Sequence, residues 1–317
     1  MPDLVLDSVE TLGLRPTGAL LSLNSYENRV YQIGVEGEAP IIAKFYRPYR
    51  WSREAILEEH LFCAELSEAE IPLIAPLQIG GETLHEYGGF LFSLYERRGG
   101  RAPEPGNLDQ IERLGQLLGR LHLVGATRLF TARREISIAS YGREPRNFLL
   151  ENEWIPSHLV SQYRQTTDDL LALIGDKFNE LGKLNSIRIH GDFHMGNILY
   201  RDEMAYVLDF DDCCNGPRIQ DIWMLFSGDR QEMAVQVLTF LEAYETFCDF
   251  PRQELSLVEC FRSLRMLHYS AWLARRWRDP AFPTHFSWFN TESYWQSQLS
   301  ALEEQISLLN EEFSIPL

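Results

Sequence analysis

The spacing of apolar residues along the chain changes period several times, and each change marks an element. Over residues 23–35 and 41–46, apolar positions crowd and alternate around the polar turn region 34–40, which predicts strands. Phe90-Leu91-Phe92-Ser93-Leu94-Tyr95 reads as a buried strand. Residues 51–66 switch to helical spacing, with Ile56, Leu57, His60, Cys63, Ala64 and Leu66 at the apolar or semi-apolar positions. Residues 107–124 predict a strongly amphipathic helix: Asn107 can cap it, and Leu108, Ile111, Leu114, Leu117, Leu118 and Leu121 form its apolar stripe. His122 near its end reads as a core or helix-terminal histidine with a hydrogen-bond partner. Short apolar runs at 187–189, 198–200 and 205–208 predict three short strands. Gly216-Pro217 marks a turn leading into a helix, and 231–247 and 255–277 have helical patterns. The aromatic residues Phe282, Phe286, Trp288, Phe289, Tyr294 and Trp295 read as packing between the last helices, ahead of a cage for a quaternary ammonium.

The strongest punctuation in the first half is the Gly- and Pro-rich stretch 96–106, which divides the chain into lobes 1–97 and 98–317. There is no internal repeat, low-complexity tract or long Gly/Ser linker.

The polar residues interrupting the three short strands carry the chemistry. They lie in His190-Gly191-Asp192-Phe193-His194-Met195-Gly196-Asn197 and in Asp209-Phe210-Asp211, with both leading acids at strand ends, where polar groups can face a cleft. Asp192 precedes Asn197 by five positions, and Asp209 follows. Phosphoryl transfer from Mg-ATP uses this order in protein kinases: a base Asp, an Asn that holds magnesium, then the main metal carboxylate. A neutral amide reaches the metal without adding another full charge beside the phosphates. A tight turn at His-Gly-Asp, or a cap at Asp-Phe-Asp-Asp, would explain either stretch alone. It does not explain the pair in this order.

The upstream half offers the rest of an ATP site. Lys44 alternates with apolar residues in a strand, so its ammonium can face the cleft and pair with phosphates and a helix carboxylate. Glu58 and Glu59 lie mid-helix, and Glu59 is the preferred partner of Lys44, although Glu58 stays open. The turn holding Ser25 and Asn28 lacks a G-x-G-x-x-G pattern but can offer a hydroxyl, an amide and backbone N–H groups to phosphate oxygens. Glu96 and Arg97, at the end of the 90–95 strand, are assigned to the adenine-binding hinge. Downstream, Asp221 can accept backbone N–H bonds from the catalytic loop, or complement a helix start.

Composition narrows the picture. At 317 residues the chain can hold two lobes with a well-buried core. The formal charge of −17, from 46 acidic and 29 basic side chains, opposes binding to nucleic acid or an anionic membrane. A nucleoside triphosphate would therefore need local cations, for which Lys44 and a metal held by Asn197 and Asp209 are the candidates. The five cysteines are odd in number and show no C-x-x-C pair, so they read as reduced packing residues. No run approaches a membrane span, and the N-terminus lacks a signal-peptide pattern, so a soluble, cytoplasmic protein is expected. A monomer is the expected state.

Several segments add a resemblance: Leu23-Asn24-Ser25-Tyr26-Glu27-Asn28-Arg29-Val30-Tyr31-Gln32, Lys44-Phe45-Tyr46-Arg47-Pro48, Ile56-Leu57-Glu58-Glu59-His60, the catalytic stretches, Ala271-Trp272-Leu273-Ala274-Arg275-Arg276-Trp277 and Asp279-Pro280-Ala281-Phe282-Pro283. The chain resembles the aminoglycoside phosphotransferase and choline kinase-like superfamily, and within it the bacterial stress response kinase A family. The resemblance runs over nearly the whole chain, and its first and last segments are far more specific than His-Gly-Asp. It implies an α+β, bilobal protein-kinase-like fold, with a small β-rich N-lobe and a larger, mostly helical C-lobe. It also implies ATP and Mg2+, and phosphorylation of Ser or Thr hydroxyls of a protein substrate in a cytoplasmic stress response. Carried over by position, Asp192 is the proton acceptor, Asn197 and Asp209 are magnesium ligands, and Ser25 lies at the ATP phosphates. Two departures from ordinary protein kinases stand out: Asp211 replaces the glycine of Asp-Phe-Gly, and no Ala-Pro-Glu-type segment fits before Asp221. Activation-loop phosphorylation is therefore not expected. A small-molecule kinase for an amino alcohol, choline or an aminoglycoside is the alternative acceptor reading. A nucleotide-binding module without turnover is the alternative of another class, and it would have no need of Asp192.

Overall fold

The computed structural model describes residues 2–182 and 184–311. A first helix, α1 (Pro2–Glu10), precedes strands β1 (Pro16–Leu23), β2 (Arg29–Val35) and β3 (Ile41–Phe45); helix α2 (Arg53–Glu68) then leads to β4 (His85–Tyr87) and β5 (Phe90–Glu96). The five strands form an antiparallel sheet in the order β1-β2-β3-β5-β4. The run 23–35 is thus not one strand, because the polar residues from Asn24 to Asn28 turn the chain between β1 and β2. On β3 the period of two is strict: Ile41, Ala43 and Phe45 enter a core with Ile33, Phe92, Leu94 and the α1 residues Val5 and Val9. Ile42 and Lys44 face the other way and line the cleft beneath the sheet.

Helix α2 is capped by Ser52, whose hydroxyl accepts the Ala55 N–H at 3.2 Å. Phe62, Cys63 and Leu66 of this helix join the large core of the following helices, so α2 packs against both parts of the molecule. Those parts are a sheet-rich amino-terminal lobe and a mostly helical remainder, an α+β bilobal architecture.

Helix α3 (Leu108–Gly125) starts as its pattern predicts, with the Asn107 side chain accepting the Gln110 N–H at 3.2 Å. Helices α4 (Glu144–Glu151) and α5 (Val160–Leu181) follow. The three short runs become β6 (Ile187–Ile189) and the hairpin β7 (Ile198–Arg201) and β8 (Met204–Val207), while β9 (Cys214–Gly216) pairs antiparallel with β6. After Gly216-Pro217 the chain forms 3-10 turns (Arg218–Asp221, Trp223–Leu225) instead of a helix, as Asp221 turns inward to the loop between β6 and β7. Helix α6 (Arg230–Tyr244) packs against α3 so closely that a Cβ on Gly119 would lie 2.6 Å from the Tyr244 carbonyl oxygen. Helix α7 (Val258–Arg276) is preceded by a 3-10 turn (Arg252–Leu257), and α8 (Ala281–His285) and α9 (Glu292–Asn310) complete the described chain.

The late aromatic residues serve packing. Phe282, Phe289 and Trp295 are fully buried in the large core, whereas Trp288 is exposed. All five cysteines are free, and four of them are buried. Among the described residues, no helix is long and apolar enough to cross a membrane.

Candidate active site

Between the sheet and the helical part lies a cleft of about 1180 Å³, lined by Ser25, Lys44, Glu59, Asp192, Asn197 and Asp209 among others. Pockets for one small ligand measure ~300–1,000 Å³, so this cleft has room for a nucleotide and part of an acceptor.

Its floor is the loop between β6 and β7. Gly191 turns this loop at φ +84°, and a Cβ there would sit 2.2 Å from the Asp212 carbonyl oxygen, so only glycine fits. Asp221, fully buried, accepts the His190 N–H on Oδ2 and the Gly191 N–H on Oδ1, each at 2.7 Å. His122 Nε2 lies 3.2 Å from the same Oδ2, and its Nδ1 lies 2.8 Å from the Tyr244 hydroxyl. Burial, opposed by Asp221, lowers the pKa of His122, so it is neutral and donates to Asp221 through Nε2. The predicted core histidine thus supports the loop from behind.

The loop is also tied to the strand carrying Asp209. His190 Nε2 lies 2.7 Å from the Leu208 carbonyl oxygen, and the Leu208 N–H donates to the Asn197 carbonyl at 2.9 Å. Asn197 Nδ2 donates to the Asp192 carbonyl at 3.0 Å and reaches its carboxylate at 3.3 Å. Its amide nitrogen is thereby committed, which leaves the side-chain oxygen Oδ1 free to accept or coordinate. Asp192 Oδ1 lies 2.8 Å from Arg265 Nη1 of α7, and Oδ2 lies 3.3 Å from His194 Nε2. Burial works against the Asp192 charge, but His194 and Arg265 outweigh it and hold this carboxyl well below the usual range.

Opposite stands Lys44, buried, with Nζ 2.9 Å from Asp209, 3.2 Å from Asp211 and 3.9 Å from Glu59. Burial disfavours its charge, but Asp209, Asp211 and Glu59 together raise its pKa well above the ordinary lysine value. Glu59 is the residue facing Lys44. Glu58 points away and accepts from the Thr131 and Ala132 backbone N–H groups, each at 2.8 Å. Asp209 has a left-handed backbone (φ 54°) and a half-exposed carboxylate open to the cleft.

Several residues of this site escaped the sequence reading. Arg133, buried, donates to Glu59 at 2.7 Å and to the Asp211 carbonyl at 2.8 Å. Arg50 binds the carboxylates of Asp211 and Asp212. Three cations, Lys44, Arg50 and Arg133, thus face four carboxylates, Glu59, Asp209, Asp211 and Asp212. The acidic run at 209–212 signals that cations must be near, but nothing local names them.

The turn from Asn24 to Asn28 covers the cleft. Ser25 Oγ accepts the Asn28 N–H at 3.3 Å. The Asn28 side chain is engaged on both ends, donating to Asp211 at 3.1 Å and accepting the Arg47 N–H at 3.1 Å. It therefore anchors the turn to the floor instead of presenting a free amide to a phosphate. Glu27 pairs with Arg276 and accepts from Trp272 Nε1 at 2.6 Å, tying the same turn to α7. Glu96 and Arg97 line the cleft at the end of β5, where their side chains engage Arg98 at 3.2 Å and Gln32 at 3.1 Å.

The sequence profile of the phosphotransferase enzyme family matches residues 20–258. The chain belongs to this family. It is 43% identical over 310 residues to stress response kinase A of Escherichia coli (strain K12), spanning 98% of this chain and 94% of that one. The same identity and spans relate this phosphotransferase to the serine/threonine protein kinase RdoA of Salmonella typhimurium. Among solved structures, amicoumacin kinase in complex with AMP-PNP and Ca2+ superposes with a TM-score of 0.70 at 22% identity, over 93% of this chain and 90% of that one. A microcompartment-associated aminopropanol kinase gives 0.68 at 18%, over 96% of each chain. The fold is kinase-like, and the protein is an enzyme of the phosphotransferase class.

Proposed function

We propose that this phosphotransferase moves the γ-phosphoryl group of ATP, with magnesium, to a Ser or Thr hydroxyl of a protein, with Asp192 receiving the hydroxyl proton. The observation that carries the reading is Asp192 lining one cleft with the Lys44–Asp209 pair, in a chain 43% identical over 98% of its length to a protein named a serine/threonine protein kinase. In the reaction, the acceptor oxygen bonds to the γ-phosphorus while the bond to the ADP oxygen breaks. The hydroxyl proton passes to Asp192. A carboxylate held so acidic by His194 and Arg265 is a weak base. It orients the hydroxyl and takes its proton as the new bond forms, which suits a loose transition state that needs little prior deprotonation.

The residues fit magnesium. Among the described residues, no three His, Cys, Asp or Glu side chains cluster as a metal site, and Mg2+ is ordinarily held by one or two carboxylates plus substrate phosphates. Asp209 and the carbonyl oxygen of Asn197 would supply the protein ligands, and the ion would neutralise charge on the phosphates. Lys44, fixed by Glu59, would bind phosphate oxygens. We assign residues 1–97 to the nucleotide side and 98–317 to catalysis and the acceptor, in a cytoplasmic, monomeric enzyme.

The alternative acceptor is a small molecule, since the structural neighbours include kinases named for aminopropanol, choline and aminoglycosides. These acceptors carry amines that are cationic at neutral pH, whereas Arg134 and Arg275 line the C-lobe side of this cleft with no carboxylate within 4.0 Å among the described residues. A cationic wall disfavours them. The test supplies γ-labelled ATP with a generic Ser/Thr protein substrate, ethanolamine and an aminoglycoside. Label should enter protein, and Asp192→Ala should abolish it while ATP affinity stays within about threefold. Label in the amines alone would overturn the protein reading, and turnover by Asp192→Ala would overturn the mechanism.

A further inference from the structure

Several arginines line the cleft on the side of helix α7. Helix α7 presents Arg265, His268, Tyr269, Trp272, Arg275 and Arg276 to the cleft, the spacing of one helical face. Two of its arginines are neutralised: Arg265 by Asp192 at 2.8 Å and Arg276 by Glu27. Arg275 and, from the strand-like segment before α4, Arg134 are different. Among the described residues neither has a carboxylate within 4.0 Å, and neither side chain donates a hydrogen bond to the protein. Each guanidinium lies over an aromatic ring, Arg134 over Trp51 at 5.2 Å and Arg275 over Phe148 at 4.7 Å. Such stacking holds the plane of the group while leaving its N–H edges free, the edges that grip carboxylate or phosphate.

We propose that Arg134 and Arg275, beside Arg265, form an anion subsite that receives an acidic or phosphorylated side chain flanking the hydroxyl to be phosphorylated. The proposal rests on the protein-acceptor reading and names its substrate class. In a chain of net charge −17, unpaired arginines on one wall of the cleft run against the composition. The local field is felt by His268, stacked on Tyr141 at 4.3 Å: burial, then Arg134, Arg275, Arg265 and Arg276, push it down to about 3, so it adds no charge of its own. Arg265 marks the reacting end because it touches Asp192. Arg275 lies ten residues further along α7, roughly 15 Å at the helical rise, which an extended peptide covers in about four residues. The flanking anion is thus read within about four residues of the acceptor.

The test measures kcat/KM on peptides with one central Ser flanked by Asp, phosphoserine, Gln or Lys at successive positions. The intact enzyme should favour the Asp or phosphoserine peptides over the Lys peptides by about tenfold or more, and the two anionic series separate carboxylate from phosphoryl recognition. Arg134→Gln and Arg275→Gln should shrink that ratio, and Arg275→Glu should invert it at the position it reads. A merely structural defect would slow every peptide and leave the ratio. Equal use of Asp and Lys peptides by the intact enzyme, or ratios unmoved in all three variants, would overturn the subsite. If no peptide is labelled, the protein-acceptor reading fails separately, and small alcohols decide the subsite. Turnover of a hydroxy acid or sugar phosphate in preference to ethanolamine upholds it, while turnover of ethanolamine alone, or of neither, overturns it.

Discussion

Asp221→Asn separates support of the catalytic loop from nucleotide binding. The Asp221 carboxylate takes the Gly191 N–H on one oxygen, and the His190 N–H and His122 Nε2 on the other. An asparagine of the same shape has only one acceptor atom. Its better orientation keeps the oxygen on His190 and His122 and turns the NH2 group toward the Gly191 N–H, donor against donor. One charge-assisted bond is lost and two become neutral. With about 1.5–3 kcal/mol for such a bond and ~1–3 kcal/mol for a stranded buried donor, the loss should be about 2–4 kcal/mol. A stability of ~5–15 kcal/mol would survive this, so the variant should fold, with a lower urea midpoint. The peptide that must shift is that of Gly191, next to Asp192, the proposed proton acceptor. A displacement near 1 Å costs about 100-fold in rate, which should appear in kcat, while KM for ATP stays within about threefold because Asp221 touches neither Lys44 nor Asp209. Unchanged kcat in a destabilised variant would refute the claim that Asp221 places Asp192. A raised KM with kcat preserved would refute it as well.

Two further outcomes follow from the same geometry. Gly191→Ala puts a Cβ against the Asp212 carbonyl at a left-handed backbone position, and should cost about 3 kcal/mol or more in urea unfolding along with most of the activity; a variant with normal stability and turnover would contradict the tight turn. Burial opposes the Asp211 charge, but Arg50, Lys44 and Arg133 hold its carboxyl far below the usual range. Its contribution is then full above the unfolded value of about 4 and fades as pH falls toward the folded one. Asp211→Asn should therefore be less stable at pH 6, and its urea midpoint should fall less than that of the natural protein between about pH 5 and pH 3. Parallel pH profiles would refute the assignment.

Much of the fold could be read in advance because its elements keep one period over many residues. The α3 stripe and its Asn107 cap, the alternation on β3 and the long α7 pattern each depend only on neighbours in sequence. Two segments that were missed or misjudged lack that regularity. β1 is an edge strand with no buried residue, so no alternation is imposed on it. The segment after Gly216-Pro217 looks helical, but Asp221 turns its side chain onto the His190 and Gly191 N–H groups, and the backbone stays in short 3-10 turns. A tertiary hydrogen bond overrode a local preference.

The candidate site divides in the same way. Asp192, Asn197 and Asp209 lie within one loop and hairpin, so their spacing in sequence nearly fixes their spacing in the cleft. Glu58 and Glu59 stayed open in the sequence; adjacent residues on a helix point about 100° apart, and the folded chain turns Glu59 to Lys44 and Glu58 to Thr131. Arg133 and Arg50 could not be found from local spacing, because they reach Asp211 across 78 and 161 residues of chain. Asn28 was misread in its detail for a related reason: a polar turn advertises hydrogen-bonding capacity without saying whether a phosphate or a distant carboxylate uses it. Here the carboxylate does, 183 residues away. Three acids around one lysine, with Asp212 beside them, would repel one another unless further cations came with them. The surplus of acid at 209–212 therefore demanded partners such as Arg50 and Arg133, even though only the folded chain could say which arginines they were.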